Sequence, residues 1–263
     1  MFSTHRLRTV WRYASVLLML AVVGGGGFAD APPFALADSF HSHALPSSSG
    51  TDSTEAWVQP YTEAIQPQGQ RIRWNLNDGI LRLAFAPNVP EEHQAWLLAG
   101  LNDWINALNA LPPTTMLPLK VEVRAWEAPA TSSLQPHLRV EAIDPTHPNT
   151  PDTWKTRWEQ GKRLYTAALT TPTLDEHGCL KAMHLIYNLT NASGLPQKPK
   201  VLQRTLNHEL GHVLGLLGHS PNPDDLMSEQ TWVGLGQSIQ ITPSPADTAT
   251  LQWLYQHPPT CQP

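Results

Sequence analysis

Hydrophobic and polar residues follow two different periods along the chain. Residues 80–86 alternate apolar and polar side chains and end at Pro87, which predicts a strand. Within residues 91–111, apolar side chains recur at intervals of three and four positions, which predicts a helix with one apolar face. The side chains of that face are Leu97, Leu101, Trp104, Ile105 and Leu108. Strand and helix are therefore expected in one domain.

The other elements follow from the same two periods. Strands are expected over residues 119–125, 137–143, 164–170 and 180–189, and a last helix over residues 245–255. The connection from Asp144 to Gly161 contains Pro and Trp without a sustained period, so we expect a long functional loop there. One strand, one helix, four more strands and two further helices indicate an α+β fold.

The N-terminal part of the chain shows neither period. Three arginines precede an apolar run of roughly 10 to 13 residues, which is typical of a secretory signal peptide and shorter than the about 20 residues of a membrane span. Residues 1–37 are therefore expected to be a signal peptide, with an uncleaved anchor as the alternative. Residues 38–70 are expected to be a flexible linker or short pro-segment, residues 71–257 the folded domain and residues 258–263 a tail.

Composition narrows the classes of protein. A hydrophobic fraction of 41% with ten Trp is enough for a packed core. The net charge is −5 and the 17 Lys and Arg residues are scattered, so nucleic acid is not an expected partner. Two cysteines, Cys179 and Cys261, exclude a cysteine-rich zinc module. In an exported protein they are free to form a disulfide, although the sequence does not require one.

The candidate chemistry lies in residues 201–228. The run His208-Glu209-Leu210-Gly211-His212 falls inside a helical pattern, and positions i and i+4 of a helix share a face. Both imidazoles can therefore reach one metal ion, and Glu209 lies beside them without being a ligand. Such a pattern also occurs on solvated helix surfaces, so the motif alone is not decisive.

Residues after the motif offer a third ligand. Gly215 can end the helix, and Gly218 then frees the backbone to turn, so that His219 can reach the same ion. Three acidic residues farther along are rival ligands, and any of them would give a site of two histidines and one carboxylate. They are Asp224, Asp225 and Glu229.

The stretch from His208 to Ser220, with Leu226-Met227 behind it, resembles the matrixin branch of the metzincin zinc endopeptidases. The order of predicted elements over residues 71–257 is also similar to that family. The resemblance implies a twisted mixed five-stranded sheet, three main helices and a zinc cleft beneath the edge strand. It also implies that Met227 forms a floor under the metal. The family pattern would place its third histidine at position 218, so His219 comes one residue late.

The resemblance implies an exported endopeptidase in which His208, His212 and His219 hold one zinc ion. Glu209 would be the catalytic base that activates a zinc-bound water for hydrolysis of a peptide bond. The expected partner is a protein or peptide substrate, the expected chain is a monomer, and the expected location is secreted, periplasmic or at the cell surface. Calcium sites are common in the family, but no second ligand cluster is apparent in this sequence.

The resemblance also bears on how a substrate would bind. It implies that Tyr165–Thr170 forms the exposed edge of the sheet, where an extended peptide can pair by strand addition. Residues 232–241 would line the pocket beside the zinc. The sequence leaves two alternatives open. One is a zinc-containing binding or scaffold protein without catalytic activity, and the other is a membrane-tethered surface protein whose metal site is incidental.

Overall fold

The structure is a computed structural model, and it describes ten parts of the chain. They are residues 59–66, 69–111, 118–127, 135–144, 154, 157–159, 162–164, 166–191, 193–229 and 239–261. The expected signal peptide and most of the residues expected to line a pocket, 232–238, lie outside them. No helix within these parts is both long enough and apolar enough to cross a membrane.

A five-stranded mixed sheet forms one layer of the domain. Its strands are β1 (Ile80–Phe85), β2 (Lys120–Arg124), β3 (Leu138–Ile143), β6 (Ala168–Leu174) and β7 (Leu180–Asn188). Their order across the sheet is β2-β1-β3-β7-β6. The first four in that order are parallel, and β6 pairs with β7 in the antiparallel direction. The expectation of a mixed five-stranded sheet is therefore confirmed.

Two boundaries differ from the sequence-based expectation. The stretch from Asp144 to Gly161, expected to contain no element, includes β4 (Arg157–Glu159), which forms an antiparallel pair with β5 (Lys162–Leu164). Strands of three residues are too short to show a period of two. The edge strand β6 also begins and ends about four residues later than predicted, with Pro172 inside it. An edge strand tolerates proline because one side of it needs no backbone donor.

Three helices lie in the described part of the chain: α1 (Glu91–Asn109), α2 (Pro199–Val213) and α3 (Pro245–Gln256). The predicted apolar face of α1 is buried along its whole length. The start of α3 is fixed by a capping box, in which Ser244 and Asp247 each bind the other's backbone N–H. The observed fold is α+β, as the sequence indicates.

Close packing between α1 and α2 places the second helix inside the domain. A Cβ on Gly100 would overlap the side chain of Asn207, so the helices approach closely only because residue 100 is glycine. The indole Nε1 of Trp104 donates a hydrogen bond of 2.9 Å to the backbone oxygen of Asn207. As a result, nearly all of α2 from Leu202 onward is buried.

Part of the segment expected to be a linker packs on the domain. Residues 59–66 and 69–70 of the range 38–70 are described, and among them Ile65 is only 1% exposed. The backbone N–H of Tyr61 donates to the hydroxyl of Thr250 on α3 at 3.1 Å. The folded part of the chain therefore includes residues that precede position 71.

A disulfide joins the turn between β6 and β7 to the end of the chain. It links Cys179 to Cys261 across a sequence separation of 82 residues, with 5.1 Å between the two Cα atoms. Nearby, the backbone N–H of Thr260 donates to the carbonyl oxygen of Arg71 at 3.2 Å. The expected tail is therefore attached to the domain, through both a covalent bond and hydrogen bonds.

We predict that replacing Cys179 and Cys261 together by Ser lowers the free energy of unfolding by about 4 kcal/mol. Closing a loop of this length removes conformational entropy from the unfolded chain, and the loss of that restraint gives the magnitude. Denaturant unfolding of the variant and of the oxidised wild type measures the difference. Wild-type protein treated with a reductant should match the variant, and equal stability of oxidised and reduced wild type would contradict the prediction.

Candidate metal centre

Two histidines of α2 project from one face of the helix into the interior. His208 and His212 are one helical turn apart, and their side chains are 0% and 1% exposed. Their ring centroids lie 4.7 Å apart, with the ring planes nearly perpendicular. The spacing of the motif in the sequence therefore brings the two imidazoles together, as predicted.

The chain after α2 turns back and brings a third imidazole to the same place. Gly215 has a φ of +102°, which a side chain would strain, and it ends the helical course of the chain. The ring of His219 then lies 5.2 Å from that of His208 and 5.1 Å from that of His212, centroid to centroid. One nitrogen from each of the three rings lies within 4.8 Å of the others. These three side chains are close enough to hold a metal ion.

Backbone carbonyls fix which nitrogen of each buried ring faces the centre. The Nδ1 atom of His208 is 2.8 Å from the carbonyl oxygen of Leu226, and Nδ1 of His212 is 2.5 Å from that of Leu216. A carbonyl oxygen can only accept, so both Nδ1 atoms carry the proton and both Nε2 atoms have a free lone pair. Nε2 of His208 is buried and has no hydrogen-bond partner among the described residues. A cation at the centre would satisfy it.

The electrostatic environment keeps the three rings neutral, which is the form that binds metals. Burial, together with the neighbouring His212 and His219, holds the pKa of His208 well below its usual range. Burial and His219 lower the pKa of His212 to about 3. Burial also lowers the pKa of His219, against the opposing effect of the Glu229 carboxylate. No ring has to lose a proton at neutral pH before it can act as a ligand.

None of the three rival carboxylates belongs to this group. Asp225 is buried, but its carboxylate accepts a hydrogen bond from the hydroxyl of Ser220 at 2.5 Å and another from the side chain of Asn222 at 3.3 Å. Asp224 and Glu229 are exposed. Asp225 therefore stabilises the turn that follows His219, and the group close enough for a metal contains only histidines.

Glu209 is buried beside the cluster and is held by the edge strand. Its side chain is 1% exposed, and its Oε2 accepts a hydrogen bond of 2.6 Å from the hydroxyl of Thr170 on β6. Burial raises the pKa of Glu209 to about 7, while hydrogen bonds from Thr170 act in the opposite direction. A carboxyl group with a pKa near neutrality can both take up and release a proton there. Thr170 was not predicted, because its contact with Glu209 spans 39 residues.

Met227 packs under the helix next to the cluster. Its side chain is 0% exposed, and a Cβ on Gly211 would overlap its sulfur atom and come within 3.0 Å of the Trp104 ring. Gly211 lies between the two helical histidines, so this glycine is what lets the methionine approach the helix there. The sequence identified Met227, whereas the requirement for glycine at 211 follows only from the packing.

Two buried charged side chains hold the segment that contains Met227. Arg204 on α2 donates to the carbonyl oxygen of Asp225 and to the hydroxyl of Ser228, both at 3.0 Å. The carboxylate of Asp247 accepts the backbone N–H of Leu226 at 2.9 Å. The sequence indicated Asp247 as part of a helix start, but gave no sign of its contact with a segment 21 residues away.

Comparison of the sequence with known protein families and with curated proteins found no match in either.

We predict that Gly211→Ala lowers the free energy of unfolding by about 1–3 kcal/mol, because the added methyl group overlaps Met227. This loss occurs even though alanine favours helix by about 1 kcal/mol over glycine. Thermal or denaturant unfolding of the variant measures it. In a Met227→Ala background the cost of Gly211→Ala should shrink, since the sulfur is gone. An equal cost in both backgrounds would contradict the packing argument.

We also predict that His219→Ala weakens binding of zinc, used as a probe ion, by at least about 10- to 100-fold. Loss of a residue that only supports a metal ligand typically weakens metal binding by about 10- to 100-fold. Loss of a ligand itself should therefore weaken binding at least as much. Competition with a chromophoric chelator measures the affinity. Asp224→Ala is the matched control and should bind like wild type. The assignment of His219 as a ligand is wrong if His219→Ala binds zinc as tightly as wild type, or if Asp224→Ala loses as much affinity as His219→Ala.

Proposed function

We propose that the protein is an exported zinc-dependent endopeptidase of the matrixin-like metzincin type. The observation that carries this proposal is the convergence of His208, His212 and His219 with a buried carboxylate, Glu209, next to them in the helix. Catalytic zinc sites use three protein ligands, three histidines among the known sets, and leave a fourth position open. A neighbouring glutamate as base for hydrolysis of a peptide bond is what the matrixin resemblance implies. The coarse fold agrees, since an α+β domain with a mixed five-stranded sheet is what the resemblance implies.

Zinc bound here would lower the pKa of a coordinated water to about 7 and would polarise a substrate carbonyl. The protein's own part in the reaction is proton transfer. Glu209 takes a proton from the attacking water as general base and later gives it to the leaving amine. The hydrogen bond of 2.6 Å from the Thr170 hydroxyl holds one carboxylate oxygen, Oε2, and so helps to fix the orientation of the base.

The position of Thr170 supports a peptide as the substrate. Thr170 lies in β6, which is the last strand in the order of the sheet and runs antiparallel to its neighbour. An extended peptide that adds to this edge would run past the residue that holds the base. We propose that strand addition to β6 brings the scissile bond to the three histidines. This keeps the predicted role of the edge, with the strand moved to Ala168–Leu174.

The ligand set argues against a purely structural zinc site. Structural sites are closed by four protein ligands, whereas catalytic sites use three and leave a position for water or substrate. In the part of the chain that the structure describes, the group near enough to share an ion has three members, all histidines. A buried glutamate beside the ligands is needed for hydrolysis as a general base, whereas a structural zinc site does not need one. The catalytic alternative is therefore preferred.

Export agrees with the disulfide between Cys179 and Cys261, because disulfides persist mainly in oxidising compartments. We propose a secreted, periplasmic or cell-surface location on this basis together with the N-terminal signal pattern.

We predict that Glu209→Gln lowers the rate of peptide hydrolysis by about 10²- to 10⁴-fold, the usual contribution of a general base. The amide keeps the shape of the side chain and cannot accept the proton. A zinc-loaded sample assayed against a broad library of internally quenched peptides provides the rate, and metal analysis should still give one zinc per chain.

The matched control for this experiment is Glu91→Gln at the exposed start of α1, which should leave the rate unchanged. Two results would count against the proposal. One is a folded, zinc-loaded wild type that cleaves none of the peptides. The other is a Glu209→Gln variant that cleaves them as fast as wild type.

A further inference from the structure

The chain that precedes the sheet is tied to the last helix through a buried carboxylate. The phenol of Tyr61 donates a hydrogen bond of 2.7 Å to Oδ1 of Asp247, which is 0% exposed. Burial and the Asp247 carboxylate raise the pKa of Tyr61, so the phenol keeps its proton and donates. Ile65, four residues later, is buried in the core. The segment Tyr61–Ile65, here called the N-terminal brace, therefore has a fixed place in the fold.

The same carboxylate leads to the first metal-site histidine. Oδ2 of Asp247 accepts the backbone N–H of Leu226 at 2.9 Å, and the carbonyl oxygen of Leu226 accepts Nδ1–H of His208 at 2.8 Å. Only Asp247 and the backbone of one residue, Leu226, thus stand between the phenol of Tyr61 and the imidazole. Loss of the phenol would leave one carboxylate oxygen with a weaker set of donors, since Met227 N–H is 3.4 Å from Oδ1.

The brace also contacts the loop that carries the third histidine. A Cβ on Gly218 would overlap the carbonyl oxygen of Ala64 and approach the Cα of Ile65 to 3.3 Å. Gly218 directly precedes His219, so the brace passes closely behind the backbone that presents this ring. A larger residue at 218 could not fit unless the brace or the loop moved.

From these contacts we propose that the N-terminal brace is a positioning element of the metal centre, with Tyr61 and Ala64 acting through Asp247 and Gly218 to hold His208 and His219 in place. This inference rests on the metal centre of the proposed function, but it concerns how the ligands are held and not what the bound ion does. Neither Tyr61 nor Ala64 touches the ion site, so neither is a catalytic residue. Their contribution is measurable as metal affinity.

The decisive variant is Tyr61→Phe in the full chain, which removes one hydroxyl and keeps the ring. We expect the dissociation constant for zinc to rise about 10-fold, the lower end of the effect known for groups that support metal ligands. Chelator competition gives the affinity. The visible absorption of a cobalt-substituted sample gives a second readout, because its intensity responds to ligand geometry and should differ from wild type.

Tyr187→Phe is the matched control. It removes the hydroxyl of a buried tyrosine on β7, which lies 2.9 Å from Nδ1 of His93 on α1. Both variants are expected to lose comparable thermal stability, whereas only Tyr61→Phe should bind zinc more weakly. Should Tyr61→Phe fail to fold, Thr250→Val removes the acceptor of the Tyr61 backbone N–H and should weaken zinc in the same direction.

Each outcome bears on the proposal in a defined way. Equal zinc affinities of Tyr61→Phe and wild type overturn it, as do equal losses in the variant and in the Tyr187→Phe control. A wild type that binds zinc but cleaves no peptide overturns the proposed function and leaves this inference standing. A wild type that binds no zinc overturns both.

Discussion

The imidazoles of His208 and His212 each donate a buried hydrogen bond to a backbone carbonyl, and the rest of the centre is arranged around these two bonds. The acceptors, Leu216 and Leu226, belong to chain that lies beyond the helix. Each bond therefore does two things: it orients a ring, and it fixes a piece of the following loop. Because both Nδ1–H groups donate to carbonyl oxygens, the lone pairs of both rings are on the Nε2 atoms, which face the other way, toward His219. The same two hydrogen bonds therefore fix both the orientation of the two rings and the conformation of the loop that follows the helix.

Other buried polar groups serve that same loop. Arg204 and Asp247 come from different helices. Arg204 binds both ends of the segment from Asp225 to Ser228, and Asp247 accepts backbone N–H groups between those ends. Burying such charges is unfavourable unless their hydrogen bonds are satisfied, and both use backbone groups of the loop for that purpose. A loop with little regular structure can thus be held firmly beside the three histidines. Thr170 does the same for Glu209 from the side of the sheet.

The sequence was a good guide wherever a feature is local. The i and i+4 spacing of His208 and His212, the apolar face of α1 and the capping residues of α3 all depend on neighbours within one or two turns. The third histidine could be predicted for the same reason, since Gly215 and Gly218 indicate a turn just before it. Their close backbone neighbours, Ile72 and Ala64, explain why both positions are glycine, and these neighbours could not be foreseen.

The contacts that could not be predicted join residues far apart in the chain. Thr170 and Glu209 are separated by 39 positions, and Tyr61 and Asp247 by 186. No period or motif reports such pairs, because they exist only once the sheet and helices have packed. The short strands β4 and β5 could not be predicted for a different reason: a strand of three residues is too short to show an alternation of apolar and polar side chains.

The disulfide encloses more than its two sulfur atoms suggest. Between Cys179 and Cys261 lie β7, all of α2, the loop with His219 and Met227, and α3, so the covalent ring contains all three histidines of the candidate metal centre. While both thiols are reduced, that whole stretch is held by non-covalent contacts alone. A chain made in a reducing cytosol and then released into an oxidising space would gain this restraint only after release. For such a chain, the redox state of the surroundings would set how firmly the three histidines are held together.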